Sequence, residues 1–272
     1  MDKKKTEKKD VVMNDELNMV VIIPVHVIDE DVKTLLPDAI NSVPKDIQVR
    51  ISCANGIAGE LAKMTKKNKN VVIYEAREAN KTSFTELVNQ AIGGSKYFSI
   101  LEFDDEYTPI WYDNFKAYVD AYPDVSIFLY LEDIVDFNEK KYIGFGNEAP
   151  LASSFSNVLG EIDNDCLQEF FDFYLTGSVF KTEDFENVGK LKTNLPLVFW
   201  YEFLLRTTNK QNRVMVIPKV GYVHYLGRKN SITENYRETM SEKESEYWFN
   251  VAKKESFHKT QREVKPFKSE ED

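Results

Sequence analysis

Cysteine is nearly absent from this chain, with two among 272 residues. Cys53 and Cys166 lie far apart and cannot build a disulfide framework, which points to a reducing compartment, the cytoplasm, and to buried apolar roles for both. Long apolar runs are missing as well. None approaches the roughly 20 residues that a helix needs to cross a bilayer, so no membrane span is expected. The first ten residues alternate lysine with acids and contain no apolar stretch of the signal-peptide kind. Positive charge is in deficit, with 35 Lys and Arg against 45 Asp and Glu and a net charge of -10. That excludes a general nucleic-acid-binding surface, which rests on cationic side chains neutralising phosphates, although a local basic groove stays compatible. There is no internal repeat and no low-complexity linker. After the first apolar run, Pro24-Val25-His26-Val27-Ile28 supplies neither a glycine-rich phosphate loop nor a lysine, so phosphoryl or nucleotidyl transfer of that type has no support.

What is present is an ordinary globular composition, 42% hydrophobic and 29% charged, in a chain long enough to bury a proper core. The run 19–23 is apolar throughout and reads as a strand buried on both faces, stopping at Pro24. Val32, Leu35, Leu36, Ala39, Ile40 and Val43 then recur at helical spacing. Strand and helix continue to alternate: strand 47–53, helix 59–65, strand 71–74, helix 83–92, strand 97–101. This alternation predicts an α/β fold, a mostly parallel sheet flanked by helices, with ligands beyond the carboxyl ends of the strands. The second half alternates less cleanly. After Pro109 come an aromatic-rich helix, a strand at 126–131, an irregular stretch at 136–165, a helix near 195–207 and a strand at 213–217. The expected division is a polar tail at 1–17, a ligand-binding half at 18–120, a more irregular α+β half at 121–240, a closing helical segment at 241–264 and a second tail at 265–272. The closing helix carries Tyr247, Trp248, Val251 and Ala252 on one face, which could serve a protein partner.

The chemistry concentrates at Leu101-Glu102-Phe103-Asp104-Asp105, where an apolar strand ends in carboxylates. Such groups repel one another unless a cation or backbone donors offset their charge. Mg²⁺ or Mn²⁺ bridging to a diphosphate is a natural occupant, because these ions prefer oxygen ligands and complete their shells with substrate phosphate. A solvated acidic loop or a helix N-terminus is the competing reading.

The segment 84–92, the strand 96–101 with its acidic turn, and the following Tyr107-Thr108-Pro109 resemble the core of the family-2 glycosyltransferases. The opening 20–26 and the helix after it resemble the same family's first strand and helix. The resemblance covers roughly the first 120 residues and implies a GT-A fold, a nucleotide-diphospho-sugar donor, Mn²⁺ or Mg²⁺ as cofactor, and inverting transfer to an acceptor hydroxyl. It places the nucleotide beside Pro24, Val25 and His26. It gives the metal and diphosphate to Glu102, Asp104 and Asp105, with Glu102 at the first acidic place of the Asp-x-Asp pattern. Where the family has a base-binding Asp after the second strand, Asn55 stands in Asn55-Gly56, a pair that equally reads as a turn. The family's acidic pair on a later helix, whose Asp is the general base, falls on aromatic residues in Phe199-Trp200-Tyr201-Glu202. Glu202 is the nearest carboxylate and the candidate base; an i,i+4 pairing with Arg206 is the alternative. The late segment 222–233 again resembles the family, offering His224 as a third metal or phosphate ligand and Arg228 as a phosphate clamp. The aromatic substitution also supports a second function class, a GT-A-shaped protein that binds without catalysing.

Overall fold

The computed structural model describes residues 17–79, 82–229, 231–261 and 263–269. Most of the expected N-terminal tail (1–16), the end of the C-terminal one (270–272) and Asn230 of the late segment lie outside the described residues. The first half alternates as the sequence predicts: β1 (Met19–Val25), α1 (Glu30–Ser42), β2 (Gln48–Cys53), α2 (Ala58–Met64), β3 (Val71–Glu75), α3 (Phe84–Ala91) and β4 (Tyr97–Ile100). The second half holds more elements than its sequence pattern shows. They are β5 (Glu106–Tyr107), α4 (Trp111–Ala121), β6 (Val125–Asp136), β7 (Tyr142–Gly146), α5 (Asn164–Glu169), β8 (Val179–Lys181), α6 (Thr182–Val188), α7 (Phe199–Asn209), β9 (Arg213–Leu226), α8 (Ile232–Thr239) and α9 (Glu242–Glu255).

Among the described residues the strands form one sheet in the order β3-β2-β1-β4-β8-β6-β9-β5, with β7 paired to β6. The strands from β3 to β4 are parallel. Beyond them the sheet is mixed: the short β8 runs antiparallel between β4 and β6, β9 is parallel to β6, and β5 is antiparallel to β9. All of β1 is buried, and its alternate side chains serve different cores. Val21, Ile23 and Val25 pack with α1, α2 and α4 on one face. Val20 and Ile22 pack with α3, α7 and α9 on the other. This is the physical basis of the unbroken apolar run.

Pro24 does not end β1, which continues in register with β2 through Pro24↔Ser52 and Val25↔Cys53. On the other edge, Leu101 N–H donates to the Ile22 carbonyl at 3.0 Å, and the Ile100 carbonyl accepts from Gly177 N–H at 2.8 Å. The ladder between β1 and β4 thus finishes before Pro24 would have to donate to it. The acidic turn follows directly, and Pro24, Glu102, Phe103 and Asp104 line a crevice there. Downstream, α3 begins with a capping box in which Ser83 and Glu86 each satisfy the other's backbone N–H. At the far end, α9 lies on α7 with Trp248 and Ala252 buried. Its Glu255 meets Lys192 Nζ at 3.1 Å, both almost fully buried. The apolar face that the sequence offers to a partner is therefore used within the chain.

Candidate functional site at the acidic turn

The turn is held from three sides. Asp105 N–H donates to the Glu102 carbonyl at 3.2 Å, and Glu102 N–H donates to the Tyr222 hydroxyl of β9 at 3.2 Å. Asp105 is 1% exposed, and both its oxygens are engaged. Oδ2 pairs with His224 Nδ1 at 2.9 Å, and Oδ1 accepts from Tyr225 N–H at 2.8 Å. Burial alone would lower the His224 pKa, but Asp105, with Glu132 and Glu102 behind it, outweighs that and raises it to about 10. His224 is therefore an imidazolium whose charge balances Asp105.

Asp104 is also buried. Its Oδ2 accepts from Arg228 Nε at 2.6 Å, while Oδ1 has no hydrogen-bond partner. Arg228 lies over the Phe103 ring, 4.8 Å from its centroid, and reaches Asp31 of α1 with Nη1 at 3.2 Å. Glu102 forms the floor. Burial first, then the charges of Asp105 and Asp104, push its pKa up to about 8.

Two hollows meet at Glu102. A narrow one of roughly 60 Å³ runs between Pro24, His26, Phe103, Asp104 and Arg228. A larger cavity of roughly 690 Å³ opens on the other side, against the start of α3, the loop before β8 and the loop leading into α7. His26 borders both. Desolvation, and then the charge of Arg228, hold its pKa below the usual histidine value.

The structure thus brings Pro24, His26, Glu102, Asp104, Asp105, His224 and Arg228 together, although β1, β4 and the end of β9 are far apart in the chain. Val25 lines neither hollow: its side chain enters the core and its carbonyl accepts from Ala54 N–H at 3.1 Å. Asn55 is not brought in. Its Nδ2 donates to the Ala76 carbonyl at 3.0 Å, and Gly56 has φ +92°, the conformation of a turn that leads from β2 into α2. Glu202 stays apart as well. It is 0% exposed and lines neither hollow. Its oxygens accept from Arg206 Nε and Nη2, both at 2.8 Å, so the carboxylate is committed to a buried bidentate pair. What sequence reading did not find is the far wall of the cavity, including Asp172, Tyr174 and the loop 193–197. These residues follow the irregular stretch and show no periodicity that would mark them.

A divalent cation can be tested against these donors. Asp105 and His224 are spent on each other, and no group of three or more His, Cys, Asp or Glu among the described residues is arranged to hold a metal. The oxygens left are those of Glu102 and the orphaned Asp104 Oδ1. Two carboxylates are what Mg²⁺ or Mn²⁺ takes from a protein when phosphate and water fill the remaining positions. The residues fit an ion completed by substrate and do not form a cage of their own.

No protein-family model matches this sequence, and no curated protein matches it. Solved structures do. One is S. aureus TarS 1–349 in complex with UDP-GlcNAc, 13% identical, TM-score 0.57, covering 79% of this chain and 60% of that one. Another is the mannosyltransferase PcManGT from Pyrobaculum calidifontis in complex with GDP-Man and Mn²⁺. It is 13% identical, with a TM-score of 0.62, and the match covers 87% of this chain and 64% of that one. The chain spans under two thirds of the length of each. At such identities the likeness is one of architecture, and the architecture is the GT-A fold of nucleotide-sugar glycosyltransferases.

Proposed function

We propose that this GT-A-fold chain is a divalent-cation-dependent glycosyltransferase, moving a sugar from a nucleoside diphosphate to an acceptor hydroxyl with inversion. The observation that carries the reading is Asp104, whose buried Oδ1 has no partner beside Glu102 at the mouth of the β1/β4 crevice. A Mn²⁺ or Mg²⁺ ion bound there with the diphosphate supplies Lewis-acid stabilisation of the departing group. Arg228 adds a guanidinium fork for the phosphates, and Pro24 and His26 border the nucleoside side. Glu202 does not reach the cavity, so the proton of the acceptor must go elsewhere. Asp172 is the other carboxylate on the cavity wall, and this reading assigns it the proton. The complexes of the structural neighbours with UDP-GlcNAc and with GDP-Man and Mn²⁺ support a donor of this class. A cytoplasmic location belongs to the same reading, since Cys53 and Cys166 are both free.

The test is a thermal-shift series with UDP, GDP, UDP-GlcNAc and GDP-Man, each with and without Mn²⁺, because a ligand bound only to the folded state raises its stability by mass action. At least one nucleotide should raise the wild-type midpoint in a Mn²⁺-dependent way. Asp104→Ala should lose that response while keeping its circular dichroism. A wild-type protein that responds to none of them would sink the reading. A second reading, a binding component that does not catalyse, is favoured by Phe199 and Trp200 at the family's acidic positions. It predicts nucleotide binding with no donor hydrolysis in wild type.

A further inference from the structure

The larger cavity has a one-sided chemistry. Among its described lining residues there is no lysine or arginine, and its carboxylates are Glu102 and Asp172. His224 on its wall is already paired with Asp105 Oδ2 at 2.9 Å. A phosphate- or carboxylate-bearing ligand would meet the Asp172 carboxylate with no lysine or arginine to clamp it.

The wall where the family carries its acidic pair is aromatic and built in advance. Phe84 stacks on Phe199 with centroids 5.5 Å apart and meets Trp200 edge-on at 6.1 Å. Trp200 stacks on Phe180 at 5.8 Å and 11°. Each ring is thus fixed by another, so a ligand need not order them on binding. Aromatic faces carry partial negative charge and attract the slightly positive C–H face of a sugar ring. An alkyl chain would fill the same apolar space but would leave the half-buried Glu102 and Thr82 on the wall without polar partners, a cost that a hydroxylated ligand avoids. The volume of roughly 690 Å³ is in the usual range of small-molecule pockets, about 300–1,000 Å³.

We propose that this cavity is an acceptor subsite for an uncharged saccharide, one face of whose ring packs on the Phe199–Trp200 wall while its hydroxyls reach toward Asp172 and Glu102. The proposal rests on the glycosyltransferase reading for the word acceptor, since Glu102 joins the cavity to the donor crevice.

The experiment is calorimetric titration of the full chain with cellobiose, maltose, lactose and chitobiose, and in parallel with disaccharides of the same size that end in glucuronic acid. At least one neutral disaccharide should bind, and the uronic-acid forms should bind at least tenfold more weakly. Trp200→Ala should weaken the neutral ligand tenfold or more. Asp172→Lys, a change on an exposed loop, should narrow the gap between neutral and acidic ligands. The proposal is overturned if no neutral disaccharide binds, if the acidic ones bind as well, or if folded Trp200→Ala binds like wild type. Should Trp200→Ala fail to fold, the Asp172→Lys comparison decides, and an unchanged gap overturns the proposal. Titrating UDP and GDP with Mn²⁺ into the same preparation separates the two ideas. Nucleotide binding without saccharide binding removes this subsite and leaves the donor reading, and the opposite result removes the donor reading.

Discussion

Glu102 is the residue at which the site's electrostatics become measurable. Its ordinary value near 4.5 is raised to about 8 by burial and by Asp105 and Asp104, so between those values the folded protein holds a proton that the unfolded chain has lost. Stability of the ligand-free protein therefore falls as pH rises through that window, by up to roughly 1.4 kcal/mol per pH unit. His224 extends the decline. With its pKa raised from 6.5 to about 10, its contribution is complete below 6.5 and lost as pH rises through about 10. Urea midpoints measured in EDTA from pH 5 to 8 should drop in wild type and drop less steeply in Glu102→Gln, where the raised carboxyls of Glu132, Asp104 and Glu202 keep part of the decline. Equal slopes in the two proteins would show that Glu102 is ionised throughout. The place of Glu102, Asp104 and Asp105 at a strand end was legible in the sequence, because acids directly follow an apolar strand. The pairing of Asp105 and Asp104 was not, since their partners His224 and Arg228 lie 119 and 124 positions away.

Among the elements, β9 and the loop before β8 decide whether the turn keeps its shape. Gly177 has φ +79°, and a Cβ there would lie 2.4 Å from the Tyr222 ring. The same Tyr222 hydroxyl accepts from Glu102 N–H, and the Gly177 carbonyl accepts from Trp111 Nε1 at 3.0 Å. Gly177→Ala should cost on the order of 3 kcal/mol in urea unfolding, through strained backbone and overpacking. It should also weaken Mn²⁺-nucleotide binding by the protein that remains folded, because Tyr222 must shift. Wild-type stability would mean that the loop relaxes without moving Tyr222. The strands of the first half were readable because each is an apolar run between turn residues. The three-residue β8 was not, since a run that short carries no periodicity.

For the whole molecule, the question is whether the C-terminal helix is an appendage or part of the body. Lys192 is 1% exposed and binds both Glu255 and the Thr260 carbonyl, the latter at 2.7 Å. It directly precedes the loop that walls the larger cavity. Ending the chain after Met240 would strip α9 from α7 and leave a buried ammonium without its partner, an error worth about 3–5 kcal/mol in comparable pairs. The truncated protein should therefore unfold at markedly lower urea or fail to stay in solution. An unchanged midpoint would return α9 to the role of a separable, partner-facing helix.

The sequence by itself determined the alternation of strands and helices, hence the parallel half of the sheet, and the place of the acidic turn at a strand end. Both follow from local pattern, because burial on two faces demands unbroken apolar runs and ligands lie beyond strand termini. Only the tertiary structure decided which charged groups are free. Asp105 is balanced by His224, one oxygen of Asp104 by Arg228, and Glu202 by Arg206, leaving Asp104 Oδ1 buried without a partner and Glu102 and Asp172 on the cavity wall. Electrostatic interaction depends on distance and burial in space, and spacing along the chain measures neither.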